Sequence, residues 1–288
     1  MTLRAYAKIN LGLQILGKRP DQYHDIETVF HQINLCDEID LSENGDSIRF
    51  HCDMRELPGD DSNLCIRAVK LLQQITGTAK GVDIVLRKRI PLAAGLGGGS
   101  TDAATTLKGL TKLWGLDISN DELRALSLSL GSDVPFFIDG GSAYATGKGE
   151  QLQLIELELP YWIVVVTPPV QISTAWAYGN MHVNPHVKRE DLRSLIGENM
   201  NQPRVLVNKL RNDFEPLVFR HHPEVMRIKE QLVRGGAEFA LMSGSGSSVF
   251  GLFSDGKYAK ELAEALAPQY RTSLTEPFFK PEPIFLSE

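Results

Sequence analysis

This chain is poor in the features that would commit it to a special environment. Its 288 residues include only three cysteines, Cys36, Cys52 and Cys65, with no CxxC pair and no histidine at metal-ligand spacing. An odd number without a framework reads as free thiols in a reducing compartment. No run reaches 18 consecutive apolar residues, so no membrane span is expected. The opening Met1-Thr-Leu-Arg-Ala-Tyr-Ala-Lys8 lacks the apolar centre and cleavage site of a signal peptide. Repeats and low-complexity tracts are absent too, and a cytoplasmic protein is expected. Positive charge is also scarce: 30 Lys and Arg against 36 Asp and Glu leave a net charge of −6, which argues against a broad nucleic-acid surface. The one basic run, Arg87-Lys88-Arg89, is too short for a DNA or RNA groove. It reads equally as a solvated strand edge or as an attractor of polyphosphate.

What is present is an ordinary globular composition, 42% hydrophobic and 23% charged, long enough for one large or two ordinary domains. Its most informative stretch is Pro91-Leu92-Ala93-Ala94-Gly95-Leu96-Gly97-Gly98-Gly99-Ser100-Thr101-Asp102. Val82, Ile84 and Leu86 alternate before it as in a strand; Ala103, Leu107, Leu110, Leu113 and Trp114 recur after it at helical spacing. Ser100, Thr101 and Asp102 are all suitable N-cap residues for that helix. A glycine loop opening onto a helix N-terminus presents free N–H groups and the positive end of the dipole, which suits phosphate. The two common phosphate loops are excluded: Walker A needs a Gly-Lys-Ser/Thr ending, and the dinucleotide fingerprint needs glycine at position 100. A tight packing turn is the bland alternative. Gly-Leu-Gly-Gly-Gly is more freedom than packing requires, so the backbone is expected to wrap a ligand.

Along the chain, Ala5, Ala7, Ile9, Leu11 and Leu13 alternate with Tyr6, Lys8, Asn10 and Gly12, putting Lys8 and Asn10 on one side of a strand. A turn-prone stretch, Gly17 to His24, precedes an apolar run with Ile26, Val29 and Phe30. Ile39-Asp-Leu41 and Ile48-Arg-Phe50 read as a hairpin around Asn44-Gly45. Helical patterns occupy about 62–76, 102–115 and 119–130, and Ser142 to Thr146 reads as a strand. A boundary falls near 155–160, giving domains 1–157 and 158–288. The second half reads as a strand at 162–166, irregular helices, a helix from Pro223 to Arg234, a hairpin around Gly244-Ser-Gly246, a helix at 256–267 and a closing strand. The fold class is α+β with two domains.

Candidate chemistry is spread out. Asp133 follows a helix-ending glycine amid apolar neighbours; it reads as a cap or turn acceptor, or as a base for a substrate hydroxyl if it faces a cleft. Lys8 reads as a solvated strand residue or as that base's partner. Ser243-Gly-Ser-Gly-Ser-Ser248 is either a permissive hairpin turn or half of a shared anion cradle. Tyr23 and His24 read as partners for a base by stacking or hydrogen bonding, or His24 as a structural histidine. His182, His186, His221 and His222 have no ligand partners at useful spacing and are assigned no function.

Three segments in order, Ala5 to Leu13, Pro91 to Ala103 and Leu241 to Ser248, resemble the three motifs of the GHMP kinases, over nearly the whole chain. Gly17 to His24, Thr28-Val-Phe30, Gly131 to Phe136, Ile172-Ser-Thr174 and Asn212 to Glu215 resemble one branch in particular. That branch transfers phosphate from ATP to the 2-hydroxyl of a cytidine-diphosphate-linked polyol, in non-mevalonate isoprenoid precursor synthesis. Two departures stand out: Gln22 where glycine is expected, and Thr101 where a second serine is usual. The resemblance implies a ribosomal-protein-S5-like N-terminal domain, a ferredoxin-like C-terminal domain and a cleft between them. It implies that Pro91 to Thr101 hold ATP, with Ser100 near Mg²⁺, and that Asn63 and Lys88 meet the adenosine. Asp133 would take the hydroxyl proton, Lys8 would keep Asp133 ionised, Asn10 would orient the substrate, and Tyr23, His24 and Thr174 would bind it. The partners expected are small molecules, with no nucleic acid and no membrane, a homodimer being the one assembly kept open. The alternatives are a GHMP kinase for another alcohol, a non-catalytic sensor, and an RNA-binding protein of S5-like fold.

Overall fold

The computed structural model describes residues 1–183 and 189–282, with nothing said of the Pro203 side chain; His186 lies outside the described residues. Six strands make the first sheet: β1 (Thr2–Lys18), β2 (His24–Glu43), β3 (Ile48–Cys52), β4 (Val82–Arg87), β5 (Ser142–Thr146) and β6 (Gln151–Leu154). Their order is β3-β4-β2-β5-β6, with β1 along the other edge of β2. Four more, β7 (Trp162–Thr167), β8 (Phe239–Met242), β9 (Val249–Phe253) and β10 (Arg271–Thr275), make an antiparallel sheet ordered β10-β7-β9-β8. Helices α1 (Leu64–Thr76), α2 (Gly98–Trp114), α3 (Asn120–Ser127) and α4 (Val134–Asp139) belong to the first half. The second half carries α5 (Thr174–Gly179), α6 (Leu192–Asn199), α7 (Pro203–Lys209), α8 (Glu215–His221), α9 (Pro223–Arg234) and α10 (Gly256–Leu266).

The long strand β1 explains how the halves join. It pairs with β2 from Thr2↔Asp40 to Lys18↔His24, with three register shifts on the way. Every residue from Ala5 to Ile15 is buried, so no face of this strand meets water. Leu3 and Ala5 enter a core formed with α1, α2 and α4; Ala7, Ile9 and Leu11 enter one shared with Ile163, Val165 and Phe250 of the second sheet. Leu13 and Ile15 reach a third, where Val164 and Val166 lie against α9 and α10. The β7 run Trp-Ile-Val-Val-Val therefore splits by period two, odd residues to one core and even residues to the other.

The hairpin expected around Asn44-Gly45 does not form. β4 lies between β2 and β3, antiparallel to β2 and parallel to β3. The turn chemistry was sound, since Gly45 has φ +40°. The pairing followed burial instead: Val82, Ile84 and Leu86 of β4 are at most 1% exposed and take the interior place. β3, half-exposed along its length, is left at the edge. Gly81 makes the insertion possible, because a Cβ there would lie 2.2 Å from the Ser47 carbonyl. The hairpin around Gly244 to Gly246 forms as expected, β8 pairing antiparallel with β9.

His31 on β2 is 6% exposed, and its Nδ1 lies 2.8 Å from Ser142 Oγ. Burial pulls its imidazole down to about 4. As pH falls through about 6.5 the unfolded chain takes up this proton before the native one does. The resulting contribution is complete above that pH and is lost on descent towards about 4. Urea titrations at pH 7 and pH 4.5 should show His31→Gln losing less stability on acidification than the parent, the gap being at most roughly 3 kcal/mol.

Candidate active site

One cleft of about 780 Å³ is bordered by Lys8, Asn10, Tyr23, His24, Asp133, Thr174 and every residue from Pro91 to Ser100. Its floor is an interlock of two loops. Ser243 Oγ donates to the Gly95 carbonyl at 2.9 Å and accepts the Asn10 N–H at 3.2 Å. Ser248 N–H donates to the Ala94 carbonyl at 3.1 Å, and Lys8 N–H to Leu96 at 3.0 Å. Asn212 Nδ2 holds the serine loop from behind through the carbonyls of Met242 and Gly244, at 2.7 and 2.8 Å.

The helix after the loop starts earlier than its sequence suggests. Gly97, with φ +73° and no side-chain cap, is the N-cap of α2, in place of Ser100, Thr101 or Asp102. The turn is sterically reserved for glycine at this point: a Cβ on Gly97 would meet Phe137 Cζ at 2.7 Å. Gly98, Gly99 and Ser100 thus form the first turn, where backbone N–H groups have no partner within the helix. Such a turn at the floor of a cleft suits an anion.

Lys8 and Asp133 face each other beside this loop, Nζ to Oδ2 at 3.5 Å, with side chains 4% and 31% exposed. The ammonium also donates to Asn10 Oδ1 at 2.7 Å and to the Gly95 carbonyl at 3.3 Å. Burial pulls the Lys8 pKa down, and the Asp133 carboxylate opposes that pull. Asp133 occupies the N-cap position of α4 without a side-chain cap bond. The bland reading of this aspartate as a helix cap therefore fails. Asn10 spends its Oδ1 on Lys8 and an Nδ2 hydrogen on Thr28 Oγ1 at 2.8 Å.

In the wall of the same cleft, the His24 ring stacks on Tyr178 with centroids 5.2 Å apart, and Tyr178 meets Phe214 edge-on at 4.9 Å. Burial first, then the charge of Lys18, lowers the His24 pKa, and its buried Nδ1 has no hydrogen-bond partner. Tyr23 is 58% exposed, with Lys148 Nζ 4.6 Å above its ring. Sequence reading missed Tyr178 and Lys148. Both left signals: Tyr178 is four residues after Thr174 on a helix, and Lys148 is displayed between two glycines.

Three residues expected at ATP do not border this cleft. Asn63 caps α1, its Oδ1 accepting from Cys65 N–H at 2.9 Å while Nδ2 donates to Pro58 at 2.8 Å. Lys88 is buried below the loop between Asp37 and Asp102. Thr101, one helical step past Ser100, points away and borders a second cavity of about 780 Å³ with His31, Thr105 and Lys108. Helical rotation of about 100° per residue separates it from its neighbour.

A buried lysine thus stands opposite an uncapped aspartate, beside a glycine loop that opens a helix. Residues 63–141 match the family described as GHMP kinases N terminal domain, and residues 188–272 match GHMP kinases C terminal. The chain belongs to the GHMP kinases, for which ATP is the co-substrate, and has their two-domain fold. It is 47% identical over 282 residues to the 4-diphosphocytidyl-2-C-methyl-D-erythritol kinase of Prosthecochloris aestuarii, covering 97% of this chain and 98% of that one. The enzyme of the same name from Chlorobium phaeobacteroides is also 47% identical, over 281 residues, covering 97% and 98%. A solved 4-(cytidine 5'-diphospho)-2C-methyl-D-erythritol kinase superposes with a TM-score of 0.81 at 34% identity, covering 96% of this chain and 98% of that one. Homoserine kinase from Cytophaga hutchinsonii, at 17% identity and TM-score 0.73 over 96% and 95%, shares the fold. No helix among the described residues is long and apolar enough to cross a membrane.

The loop interlock can be tested at Gly95, which has φ +77° and whose added Cβ would fall 2.0 Å from the Ser243 carbonyl. Gly95→Ala should cost roughly 2–4 kcal/mol and abolish nucleotide binding, read by urea unfolding and calorimetry. Gly99→Ala, whose Cβ would sit 3.5 Å from Leu64 Cδ1, should change stability by less than about 1 kcal/mol.

Proposed function

We propose that this protein transfers the γ-phosphoryl group of ATP to the 2-hydroxyl of 4-diphosphocytidyl-2-C-methyl-D-erythritol, giving the 2-phosphate and ADP in non-mevalonate isoprenoid precursor synthesis. One observation carries the reading. A single cleft gathers the glycine loop, the Lys8–Asp133 pair and the His24–Tyr178 stack. A substrate that carries both a reacting hydroxyl and a planar base matches that set of groups. The names of the near-full-length relatives support the same substrate. Residues 1–157 and 158–288 are its two domains, a division supported by the break between the sheets after β6.

Phosphoryl transfer asks mainly for positioning and for stabilisation of charge. Backbone N–H groups at the start of α2 hold the phosphates. Asp133 accepts the hydroxyl proton, and Lys8 stabilises the charge that develops on phosphoryl and alkoxide oxygens. Asn10 acts by fixing the Lys8 ammonium. Tyr23, His24 and Tyr178 hold the cytosine, and Thr174 lies beside Ser245, hydroxyl to hydroxyl at 3.4 Å. Mg²⁺ fits this donor set in one way. No cluster of three His, Cys, Asp or Glu side chains among the described residues could hold an ion, and Mg²⁺ commonly binds through one or two protein oxygens plus substrate phosphates. Ser100 is the hydroxyl that would serve, and the ion would neutralise phosphate charge.

A coupled assay for ADP release, with the diphosphocytidyl substrate and with the same polyol lacking the cytidyl group, tests the assignment. Turnover should require the cytidyl group; equal turnover of both, or none of either, would overturn the assignment. Asp133→Asn should lower kcat by roughly 10²–10⁴ with both KM values near the parent's, and a kcat within threefold of the parent would remove Asp133 as the base. His24→Ala should raise KM for the cytidyl substrate and leave KM for ATP nearly unchanged in steady-state kinetics.

A further inference from the structure

Beneath the glycine loop three charged side chains meet in the interior. The Lys88 ammonium bonds Asp37 of β2 and, at 2.7 Å, Asp102 of α2; the side chains are 1%, 0% and 3% exposed. The second Asp37 oxygen accepts the N–H groups of Arg89 at 2.5 Å and Ile90 at 2.8 Å. The same carboxylate thus holds the backbone that leads into the loop. Directly above lies Gly98, where an added Cβ would be 3.3 Å from Lys88 Nζ. Asp102 Oδ1 has no hydrogen-bond partner.

Stability does not account for this arrangement. Burying an ammonium and two carboxylates costs several kcal/mol per ion before their attraction is counted, and a well-packed apolar set commonly does as well. What the ions provide is a fixed point at which β2, the exit of β4 and the first turn of α2 are tied together. Apolar contacts, being non-directional, fix such a point less sharply. We propose that Lys88 is a positioning residue for the phosphate site: clamped by Asp37 and Asp102 and without touching the nucleotide, it holds the first turn of α2 in register for the phosphates. This rests on the reading of the loop as the phosphate site, and it replaces a direct contact of Lys88 with adenosine.

The two roles separate by ligand. Calorimetry with ADP, and saturation-transfer NMR with adenosine, would be run on the parent protein, Lys88→Met and Asp102→Asn. The asparagine is isosteric and keeps the proposal testable if the methionine variant does not fold. A clamp predicts ADP affinity reduced about 10- to 100-fold in Lys88→Met, and by less in Asp102→Asn, with adenosine affinity unchanged. It also predicts a KM for ATP that rises while kcat at saturating ATP holds. Equal losses for ADP and adenosine would establish a direct contact and overturn the clamp. Unchanged ADP affinity in a folded but less stable variant would reduce the triad to a structural role and overturn it as well. A parent protein that fails to bind ADP would overturn the phosphate reading of the loop, and the clamp with it.

Discussion

The hydroxyl of Ser243 is the junction on which the rest of the site depends. It is fully buried, and through it the serine loop grips the carbonyl of Gly95 and the N–H of Asn10. At that bridge β1, the glycine loop and the β8–β9 turn meet in one atom, while the Lys8–Leu96 and Ser248–Ala94 backbone bonds tie them in pairs. Each such bond contributes only about 1 kcal/mol net, yet an unpaired buried partner costs more. Without the hydroxyl the Asn10 N–H would lose its partner, and the Gly95 carbonyl would keep only the Lys8 ammonium. The glycines serve the same end, because Gly95 gives the two loops room to touch.

Charge is handled differently on the two sides of the glycine loop. On the cleft side, Lys8 is opposed by one carboxylate, and that carboxylate is partly open to solvent. Underneath, Lys88 is opposed by two, all three sealed from water. Burial pulls the Lys88 pKa down, but Asp102 and Asp37 outweigh it and hold the ammonium above its ordinary range. Burial pushes the Asp102 pKa up, against the pull of Lys88. The open pair is accessible to a ligand and the closed set is not. Both lysines are buried, and it is the exposure of the partner carboxylate, 31% for Asp133 against at most 3% for Asp37 and Asp102, that separates the two sets.

Much of this was legible in the sequence. The spacing of Lys8 and Asn10 placed them on one face because a strand repeats every two residues, and Nζ and Oδ1 lie 2.7 Å apart. The glycine loop, the α9 and α10 helices and the β8–β9 hairpin were all written in local pattern. The pairing of β4 was not, because a turn signal at Asn44-Gly45 cannot announce a strand that arrives some forty residues later and is more deeply buried. The fates of Asn63, Lys88 and Thr101 were illegible for a similar reason. Which polar groups neighbouring segments consume depends on tertiary contacts. Gln22 is an intermediate case: glycine was expected there, and its φ of +70° shows the left-handed backbone behind that expectation.

The assembly of the site from residues 8, 95, 133 and 243 also has a bearing on how the molecule matures. No contiguous segment contains enough of the cleft to hold a nucleotide, since its floor exists only when a loop from each half is interlocked with the other. The cleft is therefore complete only in the fully folded chain, once a loop from each half is in place. Any ligand that binds only this finished form draws the folding equilibrium towards it, so occupancy of the cleft and cohesion of the two halves are linked.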